Sequence, residues 1–447
     1  MSGSAPQQRL QGTAKPLAVS VVNLGCRVNR VESDTIAASY RSRGACIVPS
    51  EQADVVVVNT CTVTAVADKK TRKAVRGVLR ANERARVLVT GCAAAIDPGF
   101  YEGLDPRVSV VEKSELLDGV EALSAIMRAS EGFPARAGVK VQDGCNHACT
   151  YCIVHVARGR AWSRPVDEVA MEVRALVSGG VREVVLTGID LGSYRNEHGG
   201  LAPLLRRLLD VAGPARLRLS SVEPRSLDHE TLELMAQEKG RICRHLHLPL
   251  QSGSSKVLAE MRRPYDAQAF ADLVDVAYAM VPELSLTTDV IVGFPGETDQ
   301  DLNDTLDLVR HARFTKVHGF RYSRRAGTPA AARPDQVDPQ VMDDRASRLR
   351  ALSEGLRLQE ARARVGTVER IALERPGVGM SESYYRVEVS GGGHAALTGH
   401  AGLAGSEDGE GAEGHACECE ATTGFEAEPR LIERRIVGCN EEGVLLA

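Results

Sequence analysis

Three cysteines within eight residues, Cys145-Asn-His-Ala-Cys149-Thr-Tyr-Cys152, form the densest group of reactive side chains in the sequence. Three thiolates can ligate three irons of a 4Fe-4S cube, which leaves the fourth iron open to chelate the amino and carboxylate groups of a methionine-like ligand. Gly144 frees the turn that such a loop needs. A zinc knuckle completed by His147 or His155, or a set of buried free thiols, is the competing reading. A second set is dispersed: Cys26, Cys61 and Cys92 each follow a short β-branched run, and Gly25 and Gly91 stand directly before two of them. Any one of these alone reads as an inert packing thiol, as do Cys46, Cys243 and Cys439. The total of eleven cysteines is odd and their spacing is clustered, which favours metal ligation or catalysis over disulfides.

The elements that must hold these thiols follow an α/β pattern. In the first unit, 17–130, strand-like runs at 18–23, 54–59, 86–90 and 107–111 alternate with helical stretches at 32–43 and 67–81. That alternation predicts an open, parallel sheet. The carboxyl ends of its strands lie along one edge, where crevices form, so Cys26, Cys61 and Cys92 are expected to converge there and to hold a second cluster. In the second unit, 138–355, strands near Val139 and at 181–186, 216–219, 245–248, 285–291 and 316–320 predict a partial (β/α)6 barrel, whose chemistry also sits at the carboxyl ends. The Pro-rich stretch 327–339 marks a boundary, and an Arg-rich helix at 341–364 leads out of it. The third unit, 365–447, has short strands at 370–373, 384–389 and 432–437 and predicts a small β-barrel. Within it, 391–428 lacks periodicity and is expected to be an inserted loop. His394, His400 and His415-Ala-Cys417-Glu-Cys419 in this loop resemble a metal-binding fragment.

Composition narrows the class further. A chain of 447 residues exceeds one ordinary core and implies two to four domains. No apolar run is long enough to cross a bilayer and residues 1–17 lack a signal-peptide pattern, so a cytoplasmic location and no membrane partner are expected. The formal charge of −4 argues against wholesale coating of nucleic acid, yet 390–428 carries eight acids and no Lys or Arg, which leaves the remainder net basic. Directly behind Cys61, the residues Lys69, Lys70, Arg72, Lys73, Arg76 and Arg80, followed by Arg84 and Arg86, oppose a single acid, Glu83. Helical spacing puts Lys69, Arg72 or Lys73, Arg76 and Arg80 on one face. Such a face fits RNA phosphates, with a merely solvated helix as the alternative. Arg158-Gly-Arg160 and Ser163-Arg164-Pro165 are candidates to extend it.

The spacing Cys145-x3-Cys149-x2-Cys152 resembles that of the radical S-adenosylmethionine enzymes. With Asn23-Leu-Gly-Cys26-Arg-Val-Asn-Arg-Val-Glu-Ser33, Asn59-Thr-Cys61-Thr-Val-Thr64 and Thr90-Gly-Cys92, nearly the whole chain resembles the methylthiotransferases among them. The resemblance implies an amino-terminal cluster domain, a radical S-adenosylmethionine barrel and a TRAM-like RNA-binding β-barrel. It implies two 4Fe-4S clusters, one per thiol trio, and S-adenosyl-L-methionine as cofactor. The partners it implies for a monomeric enzyme are the anticodon loop of a transfer RNA, a reductant protein such as flavodoxin or ferredoxin, and a sulfur donor. An anticodon loop offers unstacked bases whose edges can be reached without opening a duplex.

The reaction so implied begins with reductive cleavage of the cofactor to a 5′-deoxyadenosyl radical, and puts a methylthio group on the adenine carbon between the two ring nitrogens. Asn59-Thr-Cys-Thr-Val-Thr64 with Asp68-Lys-Lys resembles the branch that acts on N6-threonylcarbamoyladenosine beside the anticodon. Isopentenyladenosine in transfer RNA and an aspartate of a ribosomal protein are the alternative targets. A non-catalytic iron-sulfur protein that binds RNA or passes electrons is the alternative of another class. Carried onto the strand ends, the resemblance assigns Tyr151, Thr187 and Gly188 to the cofactor. It assigns Glu223, Gln251 and Asp289 to polar contacts with cofactor or substrate, and Gly293 to close approach of adenosine. Each of these strand-end residues also suits a turn or cap. Asp190 stands where that branch leads one to expect histidine.

Overall fold

The computed structural model describes residues 15–117, 135–389 and 431–447. His394, His400, His415, Cys417 and Cys419, the insertion 391–428 and the stretch 118–130 lie outside the described residues. The first unit is a five-stranded parallel sheet ordered β2-β1-β3-β4-β5, with β1 Ala18–Asn23, β2 Cys46–Ile47, β3 Val55–Thr60, β4 Arg86–Gly91 and β5 Val108–Val110. Its central strand β3 reads Val-Val-Val-Val-Asn-Thr and is buried almost throughout, as expected of a parallel strand covered on both faces. Helix α1, Arg27–Ser42, covers the side where Val19, Ile36 and Val57 pack. Helix α2, Ala65–Ala81, covers the other, where Val75 and Val78 meet Val56, Val58, Val87 and Val89. The backbone N–H of Ala67 donates to the Thr64 hydroxyl and caps α2.

The second unit is a curved wall of six parallel strands. One half is β6 Arg136–Lys140, β9 Glu183–Thr187 and β10 Arg216–Leu219, in the order β10-β9-β6. The other is β11 His245–His247, β12 Ser285–Val292 and β13 Lys316–Arg321. Single bridges, Leu217 with Ile242 and Ser221 with His247, join the halves. Between β6 and β9 lies a two-stranded ribbon, β7 Gln142–Asp143 with β8 Trp162–Ser163, at the root of the cysteine loop. Helices such as Val166–Ser178, Leu201–Val211 and Ala267–Met280 turn Leu, Val and Phe onto the outside of the wall to form the largest core.

The third unit is a curled six-stranded sheet: β14 Val368–Arg375, β15 Val378–Ser381, β16 Arg386–Glu388, β17 Leu431–Arg435, β18 Gly438–Cys439 and β19 Leu445–Leu446. It docks on the barrel through two arginines of β10 that have no exposed surface. Arg216 donates to the carbonyls of Arg370 and Met380 at 2.6 and 2.9 Å, and Arg218 to those of Ser381 and Glu382 at 2.7 and 3.0 Å. Both pair with the buried Glu183. Burial alone would push that carboxyl up; Arg218, Arg216 and Arg136 outweigh it and hold it well below the usual range.

Candidate active site

Strand register gathers the dispersed thiols. Asn23 pairs with Asn59, Asn59 with Thr90 and Thr60 with Gly91, so the loops carrying Cys26, Cys61 and Cys92 leave the sheet from one row. Gly25, at φ +141°, passes so close to Cys61 that a Cβ on it would lie 2.6 Å from the Cys61 Cβ and 2.9 Å from its Sγ. Gly91, at φ +93°, lies against the backbone of Thr60, and a Cβ there would come within 2.5 Å of the Thr60 carbonyl oxygen. Asn29 and Asn59, both fully buried, lock the row: Asn59 donates to the Asn29 carbonyl at 3.0 Å and Asn29 to the Thr60 carbonyl at 2.8 Å. The Thr60 hydroxyl accepts from the N–H groups of Ala93 and Ala94, which fixes the short helix α3, Cys92–Ile96. Cys61 and Cys92 are buried; Cys26 is exposed and turned to the barrel.

The second trio lies on the loop between β7 and the helix Val154–Arg158. The N–H groups of His147 and Val154 donate to Cys145 Sγ and Cys152 Sγ at 3.4 Å each. Thr150 ties the loop down, donating from its N–H to the Met261 carbonyl and accepting at its own carbonyl from Ala330. The stretch 327–339 is therefore more than a boundary, because its turn Pro329–Ala332 buttresses the cysteine loop. Burial pushes the Cys61, Cys92, Cys145 and Cys152 thiols up, Cys152 to about 11, so uptake of a cluster releases protons. His147, a candidate zinc ligand, faces Asp190 at 3.4 Å instead. Among the described residues no three His, Cys, Asp or Glu side chains close on a single ion. Thiolates on separate corners of a cube need no such common centre.

A cavity of about 550 Å³ is lined by Cys26, Cys145, Cys149, Cys152, Tyr151, Thr187, Gly188, Glu223, Gln251 and Asp289 from the sequence-predicted set, whereas Cys61 and Cys92 lie off its wall. Three buried polar atoms of its wall have no partner among the described residues, Thr187 Oγ1, Ser220 Oγ and Glu223 Oε1, and Asp190 Oδ2 has only the His147 imidazole 3.4 Å away. Buried polar atoms cost free energy unless they are satisfied, so this side of the cavity fits a ligand rich in N–H and O–H donors, as S-adenosylmethionine is. Asp190 also shapes the wall, since its Oδ1 accepts from the N–H groups of Gly192 and Glu223.

Gly293 departs from expectation. It is absent from the cavity wall, and the space a Cβ would need is taken by Met342, 2.4 Å away, on the long helix Pro339–Ala363. The basic helix also differs in part. Lys69, Lys70, Lys73, Arg76 and Arg80 are exposed on α2. Arg72 instead lies over the Phe100 ring at 4.0 Å and pairs with Asp68 at 3.4 Å. Arg158 and Arg164 do not extend that surface, because both side chains are buried in ion pairs. Arg158 reaches from the cysteine loop into the first unit and donates to Glu32, Asn29 and Asp143 at 2.8–2.9 Å. Burial pushes the Glu32 carboxyl up, but Arg158, Lys113 and Lys140 outweigh it and hold it well below the usual range.

Several cavity residues escaped the sequence reading. Arg263 donates to Cys149 Sγ at 3.3 Å and pairs with Glu223. His245, His247 and His318 line the far wall, with His245 and His247 each 3.0 Å from the Thr287 hydroxyl. Tyr384 enters from the third unit at φ +68° and stacks on His245 with 4.4 Å between centroids. Met261-Arg-Arg-Pro-Tyr265, a helix end followed by proline, was a visible signal for Arg263, whereas nothing local marked Tyr384.

A three-thiol loop opening a parallel half-barrel, with an orphaned polar wall beside it, defines a radical S-adenosylmethionine type of protein, and residues 139–309 match the Radical SAM superfamily. Residues 18–111 match Uncharacterized protein family UPF0004. The chain is 39% identical over 364 residues to the threonylcarbamoyladenosine tRNA methylthiotransferase MtaB of Bacillus subtilis, covering 76% of this chain and 80% of the relative. It is 37% identical over 387 residues to the tRNA-2-methylthio-N(6)-dimethylallyladenosine synthase of Acidothermus cellulolyticus, covering 80% and 78%. Among solved structures, the radical S-adenosylmethionine methyltransferase TsrM of Kitasatospora setae shares the fold, with a TM-score of 0.52 at 15% identity over 70% of this chain and 75% of that one. The chain belongs to the radical S-adenosylmethionine methylthiotransferase family. Membership implies a 4Fe-4S cluster and S-adenosylmethionine. Among the described residues no helix is long and apolar enough to cross a membrane.

Proposed function

We propose that this protein is a transfer RNA methylthiotransferase that modifies the adenine carbon between the ring nitrogens of N6-threonylcarbamoyladenosine beside the anticodon. The observation that carries the reading is a single cavity whose wall holds Cys26, of the dispersed trio, together with Cys145, Cys149 and Cys152. Cys145, Cys149 and Cys152 would hold the cofactor-cleaving cluster and Cys26, Cys61 and Cys92 a second one. When bound, these groups supply the one-electron chemistry and the sulfur.

The chain's own part is binding and positioning. Thr187, Gly188, Asp190, Ser220 and Glu223 take the cofactor, with Tyr151 beside the cluster. Arg263, through its N–H to Cys149, adds positive charge beside that cluster, a lever on its potential. Gln251 and Asp289 face the substrate side, and the exposed cations of α2 lead RNA to the mouth. The units 17–130, 138–355 and 365–447, the last as a TRAM-like RNA-binding barrel, belong to the same proposal, as do a reductant protein and a sulfur donor.

Sequence motif and the relative from Bacillus subtilis support threonylcarbamoyladenosine; the dimethylallyladenosine relatives supply the second reading. Mass spectrometry of nucleosides from cells with and without the protein separates them, the threonylcarbamoyl reading requiring loss of that methylthio nucleoside alone. On reconstituted protein, Cys145→Ala is expected to abolish 5′-deoxyadenosine formation, while Cys92→Ala spares it and stops sulfur insertion. Equal loss in both variants, or only about four irons per chain in the intact protein, counts against two clusters.

A further inference from the structure

Three arginines line the cavity: Arg27, Arg263 and Arg321. Arg263 is paired with Glu223, and Arg321 with Asp343. Arg27 has no carboxylate within ion-pair distance among the described residues; its partner is the neutral Tyr384 hydroxyl, and its guanidinium stands 5.1 Å from the centre of that ring. The other cation beside the Tyr384 ring, Arg218, stands 5.3 Å from its centre and is paired with the buried Glu183. Burial holds His245 well below its ordinary value and pushes His318 down to about 4, with the charge on Arg27 acting in the same direction on both. The result is an exposed cation with no carboxylate on it, at the edge of a mostly apolar cavity and available to an anion on the ligand. Its place on the chain is informative: Arg27 opens α1 and directly follows Cys26.

We infer that Arg27 binds the threonyl carboxylate of the substrate and thereby selects threonylcarbamoyladenosine against adenosines with an uncharged arm. This rests on the substrate reading above and names the residue that would enforce it. In adenine, the ring carbon whose amino nitrogen bears the arm and the carbon to be modified flank the same ring nitrogen. A carboxylate on the arm can therefore reach a cation placed beside the cluster that serves that carbon. Arg27 is exposed in the free protein, and an isopentenyl arm laid over it would strip water from the guanidinium and leave it only the Tyr384 hydroxyl, a loss that a carboxylate would repay.

The test uses the reconstituted holoenzyme without reductant, so that binding is read without turnover. Two anticodon stem-loops are compared, one carrying threonylcarbamoyladenosine and one carrying its threonyl methyl ester. The wild type is expected to bind the acid about 10- to 100-fold more tightly than the ester, and Arg27→Gln to bring that ratio close to one through loss on the acid alone. An unchanged ratio in Arg27→Gln overturns the assignment. So does equal weakening of both loops, which would make Arg27 a phosphate contact. A wild type indifferent to the ester removes carboxylate recognition and leaves the substrate reading standing. Adding reductant supplies the separate check: if the wild type methylthiolates neither loop but acts on an isopentenyladenosine loop, the substrate reading fails and this inference with it.

Discussion

At the scale of single residues, charge in the sequence and charge in the fold part company at Arg158. Read along the chain, Arg158-Gly-Arg160 looks like a patch for phosphates. In the fold, Arg158 is a pin, with its side chain 4% exposed and fanned onto Glu32, Asn29 and Asp143. Nothing local could announce this, because two of its partners lie more than 120 residues away. Its truncation leaves Glu32 with Lys113 and Lys140, and Asp143 with Lys140 alone, in a dry setting. Arg158→Ala is therefore expected to cost about 3 kcal/mol, since breaking a buried pair leaves charge only partly compensated. Arg158→Lys should recover only part of that, as a compact ammonium lacks the planar five-donor fork that spans Glu32, Asp143 and Asn29. Thermal unfolding of the two variants checks both statements, and equal melting points for wild type and Arg158→Ala would refute the pin.

At the scale of elements, α2 and the sheet edge show what periodicity conveys. The buried stripe Thr71, Val75 and Val78 fixes which side of α2 faces out, so the exposed cations were legible from spacing alone. Arg72 was not, because its contact with Phe100 depends on the short helix Pro98–Glu102, which follows a different strand. Replacing Lys69, Lys73 and Arg76 by Glu is expected to weaken transfer RNA binding. It should also lower the slope of log affinity against log salt by about two, at roughly 0.7 per lost single-strand phosphate contact. A salt titration that gives parallel lines for wild type and variant would make the face merely solvated. Convergence of Cys26, Cys61 and Cys92 on one edge was likewise readable, because parallel strands fix which ends align. The exclusion of Gly293 from the cavity was not, since the helix that fills its space begins more than 40 residues later.

At the scale of the whole molecule, the three units share buried charge and buried imidazole, and stability should follow pH accordingly. Burial holds His318 at about 4, below its ordinary 6.5, with Lys316, His247 and Arg27 lowering it and Asp289 opposing; burial lowers His245 as well. Below pH 6.5 the unfolded chain therefore binds more protons than the folded one, and stability rises with pH. The contribution of His318 is complete above about 6.5 and is lost as pH falls toward about 4. Melting temperatures are expected to decline across that window and to decline less in His318→Asn; an identical pH profile in the variant would remove His318 as the source. The order of units and their α/β or all-β character were visible in the sequence. The docking through Arg216 and Arg218 was not, because arginines in a strand give no local sign that backbone carbonyls of another unit will receive them.

That docking carries Tyr384 into the cavity wall, opposite Cys26 and its neighbour Arg27. During synthesis from the amino end, Cys26 leaves the ribosome hundreds of codons before Tyr384 does. The chamber therefore acquires its last wall only after both cysteine sets have been made and can have been loaded. The side of the chamber built by the third unit is thus the last to exist, and whatever the first two units hold precedes it.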